Sequence, residues 1–515
     1  MSRGRRERRE AARRGAAPGA EAVVAVAPAE PPVARAALWL ALAFLLPNLG
    51  ALLCGFVYDD LPLIVRNDRL HSLARLPEVF TNGYWPDRAG LTLYRPVTQA
   101  LWSLLWVGSG GRPLPFHAVN LLLGTGVVLL AHRLLLALEV PARRAFVAAL
   151  LFAVLPIHTE ATTAIVGSSE LLAAGFGIGA LLLHLRGKRL PALGLFALAV
   201  LSKESAAALA ALALLFPFLK GGRRPGRERL AVDAAAAGVV VALALVARKL
   251  VASGPVFVPP VDNPMALVHP LQRVLTALWT QVLYAQRTLV PAVLSADYSY
   301  REIPLVMGPD DARAWAGLAL AGVAASSFRY RPASRLPIAL WAVPFLPAAN
   351  LLFPVGTVMG ERLAYLPSLG LCLLLAPLLL RLASKEVVLG VLVVLFAART
   401  AWRNLDWRDA DAFYPKLAAT SPGSAKVHYF LGCWKAARED DAGALEAYAR
   451  ALAIFAAYPE ALNNRGGTLL RLGRVEEAKE SYREAVRFDP GHRAAAASLH
   501  ALEAGIPFTP QRPPV

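Results

Sequence analysis

The feature that most constrains this chain is a succession of apolar runs, separated by short clusters of arginine and lysine. A helix needs roughly 20 apolar residues to cross the hydrocarbon core of a bilayer. With 56% of its residues hydrophobic and only 17% charged, the chain has too little polar material for a water-soluble fold of this size. The net charge of +18 does not point to nucleic acid. No basic stripe is interleaved with aromatics, and the cations gather between the apolar runs, as cytoplasmic loops do. Cys54, Cys372 and Cys433 are scattered without paired spacing, so neither a disulfide framework nor a metal site is expected.

Placing the basic clusters in the cytoplasm fixes a layout. Residues 1–36, rich in Arg, Ala and Pro, read as a disordered basic cytoplasmic tail, and the run from Ala36 to Val57 as a membrane anchor. Residues 37–402 then hold about eleven spans. The later ten are 116–138, 145–157, 171–185, 191–201, 206–219, 231–246, 314–327, 336–353, 363–380 and 387–401. Arg248 and Lys249 fall on the wrong side of this layout, and His269 to Val290 reads as an external amphipathic helix. An odd count leaves whatever follows outside. The layout also gathers the polar turns 58–60, 158–170, 203–204, 295–300 and 360–365 on the external face.

The C-terminal part repeats. Gly432 aligns with Gly466, Ala444 with Ala478, Tyr448 with Tyr482 and Ala451 with Ala485, all at the offset of a tetratricopeptide (TPR) helix pair. The expected array fills 403–504: a half-repeat helix Asp409 to Thr420, repeats Ala425 to Tyr458 and Pro459 to His492, and a capping helix Arg493 to Ala504, with 505–515 a tail. The fold class is therefore all-α, a polytopic membrane protein followed by a short α-solenoid.

Several charged residues interrupt apolar flanks, where each costs about 2.5–3.5 kcal/mol on insertion scales. Lys203 and Glu204 break the run 190–219, His158 and Glu160 break another, and Glu361-Arg362 sits between 353 and 363. The plainer reading of each adjacent pair is mutual neutralisation at a hairpin tip. The functional reading is a lined polar cavity, with Arg362 suited to a lipid phosphate. Asp59 and Asp60, directly after the first span, are either a solvated helix cap or a general base in an external cleft.

In series, YDD (58–60), LYRPVTQALW (93–102), FHAVNLLLG (116–124), LFAVLPIHTEATTAIVGSSELLAA (151–174), LSKES (201–205), LSADYS (294–299), ERLAYLPSLG (361–370), RNLDWRD (403–409) and AKVHYFLG (425–432) resemble the TMTC family. Those are transmembrane, TPR-containing protein O-mannosyltransferases of the GT-C superfamily. The resemblance implies a GT-C glycosyltransferase with a polyprenyl- or dolichyl-phosphate sugar as donor substrate and no separate cofactor. The acceptor it implies is a Ser/Thr hydroxyl of an extracytoplasmic protein, glycosylated with inversion. It makes Asp60, or next to it Asp59, the base. Independently of the resemblance, an inverting transfer needs cations on the departing phosphate, for which Arg362, Lys203 and Arg95 are the candidates, with His158, Glu160, Glu204 and Glu361 placed to orient phosphate or sugar. Where the family commonly has Arg-Ala-Asp, this chain has Ser168-Ser169-Glu170, and its array is shorter than in animal members.

The Ala- and Arg-rich composition points to a GC-rich genome and a bacterial inner membrane rather than endoplasmic reticulum. Expected partners are the membrane, the lipid-linked donor and a protein held by the TPR array. Two alternatives stay open. A GT-C enzyme with a lipid or glycan acceptor would use the array only for recruitment, so deleting 425–515 would leave transfer intact. An inactive TPR scaffold or a transporter would turn over no donor.

Overall fold

The computed structural model describes residues 33–86, 93–219, 226–251 and 258–513. Most of the basic tail, part of the basic loop at 220–229 and the last two residues lie outside the described residues. Among the described residues all regular structure is helical.

Each apolar segment of the sequence reading contains an α-helix, although 346–353 of the segment 336–353 and 363–367 of the segment 363–380 lie outside it. In chain order these are α1 (Val33–Asn48), α3 (Pro113–Ala137), α4 (Ala142–Val154), α5 (Ser168–Leu185), α6 (Arg189–Ser202), α7 (Ala208–Leu219), α8 (Arg227–Val251), α10 (Ala312–Tyr330), α11 (Pro332–Phe345), α12 (Ser368–Leu379) and α13 (Lys385–Asn404). Two others flank the site: α2 (Pro96–Ser109), inside what the sequence reading left as an external loop, and α9 (Pro270–Leu289), the expected amphipathic helix. Pro96 and Pro270 stand at the first helical position, where the missing N–H costs nothing.

By length and composition, four of these segments can cross a bilayer alone: 34–53, 113–137, 165–185 and 227–251. A fifth candidate is α4 together with 156–162, bent by 54°. α6, α7 and α12 are apolar but shorter. Four or five spans are therefore supported directly, and the full count of eleven stays a proposal.

The helices pack around α4, which contacts α1, α3, α12 and α13, while α5 lies between α3 and α6. α8 leans chiefly on α6 and buries no residue, as a helix facing lipid would. Phe44, Phe152, Leu171 and Leu369 centre the largest apolar cluster.

The C-terminal helices are α14 (Ala410–Thr420), α15 (Ala425–Ala437), α16 (Asp441–Ile454), α17 (Pro459–Arg471), α18 (Val475–Phe488) and α19 (Arg493–Glu503). They stack consecutively. In each repeat a glycine of the first helix meets a tyrosine of the second. A β-carbon at Gly432 would lie 2.5 Å from the Tyr448 ring, and one at Gly466 would lie 2.8 Å from Tyr482. The small residues of the repeat thus set how closely its two helices cross.

Candidate functional site

Three breaks in the apolar helices and one loop meet on a single polar cluster. The first break follows α4, where Pro156 cannot donate to the preceding turn and the chain bends. It runs as short turns to Gly167, where a β-carbon would collide with the Ala161 carbonyl at 2.2 Å. The second lies between α6 and α7. The third is the turn Glu361–Ala364 ahead of α12. The loop is the segment after α1.

Asp59 and Asp60 are adjacent but differently housed. Asp60 is 1% exposed. Its carboxylate accepts a hydrogen bond from the Val166 N–H at 2.9 Å and a longer one from Val57 at 3.4 Å. Burial pushes its pKa up to about 7 against the pull of these amides. The Asp59 side chain is 21% exposed, and its carboxylate lies 3.8 Å from the Arg362 guanidinium.

Arg362 is also held by Glu160, which contacts the same Nη1 that faces Asp59. Its Nη1 donates to Glu160 Oε1 at 2.7 Å, and its backbone N–H donates to Oε2 at 2.8 Å. Glu361, one residue earlier, faces away. Its Oε1 accepts from the Tyr298 hydroxyl at 2.7 Å, and its Oε2 lies 3.6 Å from Arg403. Burial raises its pKa to about 7 although Arg403 opposes the shift. Neutralisation within the pair, the plainer sequence reading, does not occur. Successive residues of a 3₁₀ turn point about 120° apart.

The same correction applies to Lys203 and Glu204. Lys203 is extended, with φ −158° and ψ 131°, and a turn begins at Glu204, so the two side chains diverge. Lys203 is ion-paired with Glu170. Glu204 takes both arms of Arg95, at 2.9 and 2.7 Å, and the Arg95 guanidinium lies over the Tyr84 ring. Glu170, which sequence reasoning set aside as a departure, is an electrostatic neighbour of Arg95, Lys203 and Arg362 together. It also lines an open recess bounded by Ser205, Leu209, Pro344 and Pro367. His158 stays apart from the cluster. Its Nε2 is 2.8 Å from Ser368 Oγ, and its ring packs edge-on against Phe152 and Tyr365.

Further residues that sequence reasoning missed hold the loop after α1 in place. Tyr58 has φ +56°, unusual for a bulky side chain. Its ring lies against Phe413 of α14 and Phe430 of α15, and its hydroxyl donates to Asp297 at 3.1 Å. Asp297 in turn accepts from the Ser299 N–H and from the Ser424 hydroxyl, each at 3.0 Å. Lys426 bonds Asp262 at 2.8 Å and stands 3.8 Å from Asp297. The only hint in the sequence was that the LSADYS and AKVHYFLG stretches accompany YDD. Among the described residues no group of His, Cys, Asp and Glu has the geometry to hold a metal ion.

Fold and cluster define a helical membrane protein with a buried polar site roofed by the first helices of a TPR array. The chain is TMTC-like. Residues 252–325 match the family described as protein O-mannosyl-transferase TMTC, DUF1736, and 459–492 match the tetratricopeptide repeat. Protein O-mannosyl-transferase TMTC3 of Mus musculus is 29% identical over 484 residues, covering 84% of this chain and 52% of the relative. TMTC3 of Homo sapiens is 29% identical over 486 residues (84% and 53%), and TMTC4 of Homo sapiens is 28% identical over 450 residues (73% and 60%). The chain spans about half the length of the first of these curated relatives.

Proposed function

We propose that this protein is an integral-membrane glycosyltransferase. It transfers a hexose, mannose by analogy with the names of its relatives, from a polyprenyl- or dolichyl-phosphate donor to a Ser/Thr hydroxyl of an extracytoplasmic polypeptide. The observation that carries the reading is the Asp59–Arg362 pair, an acid and a cation 3.8 Å apart, with side chains 21% and 31% exposed at the edge of a buried cluster.

In the proposed reaction Asp59 takes the proton of the acceptor hydroxyl. The oxygen attacks the anomeric carbon from the face opposite the phosphate, the C–O bond to phosphate breaks, and its electron pair leaves with the lipid phosphate, inverting the centre. Negative charge growing on that phosphate is met by Arg362, backed by Lys203 and Arg95, all held by Glu160, Glu170 and Glu204 before substrate arrives. The burial of Asp60 and its two amide bonds support a role in fixing the loop, which moves the base from the expected Asp60 to its neighbour. For the lipid tail, the reading takes an open recess lined by Leu93, Tyr94, Val200, Val241, Leu245 and Arg248 beside Glu204. The reading keeps all eleven helical segments as spans, a cytoplasmic N-terminus and an extracytoplasmic array.

Membranes containing the protein, given polyprenyl-phosphate mannose with radiolabelled sugar and a Ser/Thr-rich acceptor polypeptide, should transfer label to the polypeptide. Asp59→Asn should lower that transfer about 100- to 10,000-fold with the protein still in the membrane. Full activity in Asp59→Asn would remove the proposed base, and label passing only to lipid or glycan would change the acceptor class.

A further inference from the structure

Beyond α19 the chain turns back and runs over the array it has just built. Residues 506–513 form no regular secondary structure, yet exposure alternates from 508 to 512: Phe508, Pro510 and Arg512 are half-buried, while Thr509 and Gln511 are exposed. A period of two is the signature of an extended chain lying on a surface. The surface is built by α15 and α17, the first helices of the two repeats, together with the start of α16. Arg512 Nη1 donates to the Ala436 carbonyl at the end of α15 and to Asp441 Oδ1 at 3.0 Å, and Nη2 reaches Asp441 Oδ2 at 3.3 Å. Arg471 of α17 holds the same carboxylate at 2.8 Å, and the side chains of Asp441 and Arg471 are each 11% exposed. Asp441 is thus an oriented acceptor with room for one further cation. A β-carbon at Gly467 would come within 3.3 Å of the Pro510 ring, so the glycine leaves space for the crossing chain.

We infer that this face of the array is a binding groove for an extended, proline-containing basic peptide. Its pattern is an apolar residue, a proline two positions on and an arginine two further, with the arginine seated on Asp441. The segment 506–513 occupies the groove in cis. An external polypeptide of the same pattern enters only by displacing it. The inference is independent of any transferase activity.

The test uses a fluorescent peptide with the sequence of residues 504–515 and the purified protein in detergent. A chain ending at Gly505 should bind the peptide saturably. The full chain should bind it at least about tenfold more weakly, because the tethered segment competes at high effective concentration. A peptide carrying Arg512→Glu should lose about tenfold or more on the shortened chain. Equal binding of both peptides, or no saturable binding while amide exchange in α17–α19 is unchanged, overturns the proposal. Should shortening loosen those helices, the full chain carrying Arg512→Glu takes over. Gain of peptide binding supports the groove, and no gain overturns it.

Discussion

Because Asp60 accepts the Val166 N–H in a buried setting, Asp60→Ala leaves that donor without a partner, at a cost of about 1–3 kcal/mol. Asp60→Asn keeps one acceptor oxygen and should cost less, a ranking that melting temperatures in detergent can check. The carboxyl also titrates in a useful window. Its folded pKa of about 7 is raised from 3.8, so the folded state holds a proton that the unfolded chain releases. Its contribution to stability is full below about pH 4 and lost as pH rises to about 7. In Asp60→Asn that share of the decline should vanish, so the melting-temperature gap between variant and wild type should differ between about pH 4.5 and about pH 7.5. The same slope in both proteins would place the titration elsewhere. The acids themselves were legible in the sequence as one motif. Their division of labour was not, since it depends on Val166, more than 100 residues away.

At the scale of elements, the loop Leu294–Glu302 joins the segment carrying the proposed base to the solenoid. It lies within the segment 252–325 that matches the TMTC family. Its Asp297 is reached by Tyr58 from the first loop and by Ser424 from the cap of α15. The Ser421 hydroxyl donates to the Asp297 carbonyl at 2.6 Å, the Arg301 N–H to the Gly423 carbonyl at 2.9 Å and the Gly423 N–H to Glu302 at 2.9 Å. Tyr58 is covalently next to Asp59, so whatever orients its ring sets where the proposed base points. Tyr58→Phe keeps the packing on Phe413 and Phe430 but drops the hydroxyl. It should lower kcat about 10- to 100-fold with the KM for donor little changed, in keeping with the cost of a slightly misplaced catalytic group. Loss of donor affinity alone would mean that Tyr58 acts on binding and not on the base. The helices of this region and the two repeats could be read from apolar runs and the 34-residue offset. The cross-connections could not, because serine and tyrosine hydroxyls carry no periodic signal.

For the molecule as a whole, the charges of the site are matched across the chain rather than along it. Lys203 meets Glu170, Arg95 meets Glu204 and Arg362 meets Glu160, so each pair ties together segments distant in sequence. The sequence reading placed these residues on one face through the sidedness of the basic clusters, and the contacts bring Asp59, Glu160, Glu170, Arg362, Lys203, Arg95 and Glu204 into one neighbourhood. Which acid joined which base depended on backbone direction at each break, which apolar periodicity does not encode. The same cross-chain logic decides the role of the array. A module that merely recruits a partner would be dispensable for transfer to a small acceptor peptide. Here α14 and α15 supply Phe413, Phe430 and Ser424 to the support of the loop that carries the proposed base, whereas α17 to α19 make none of those contacts. A chain ending after Tyr458 should therefore keep transfer to such a peptide, while one ending after Asn404 should lose it even where its membrane helices remain folded by circular dichroism. Adding α14 to α16 back as part of the same chain should restore activity, since the repair is of geometry. Were the shortest chain to work as well as the full one, the array would be a tether and the weld at Asp297 would have no part in catalysis.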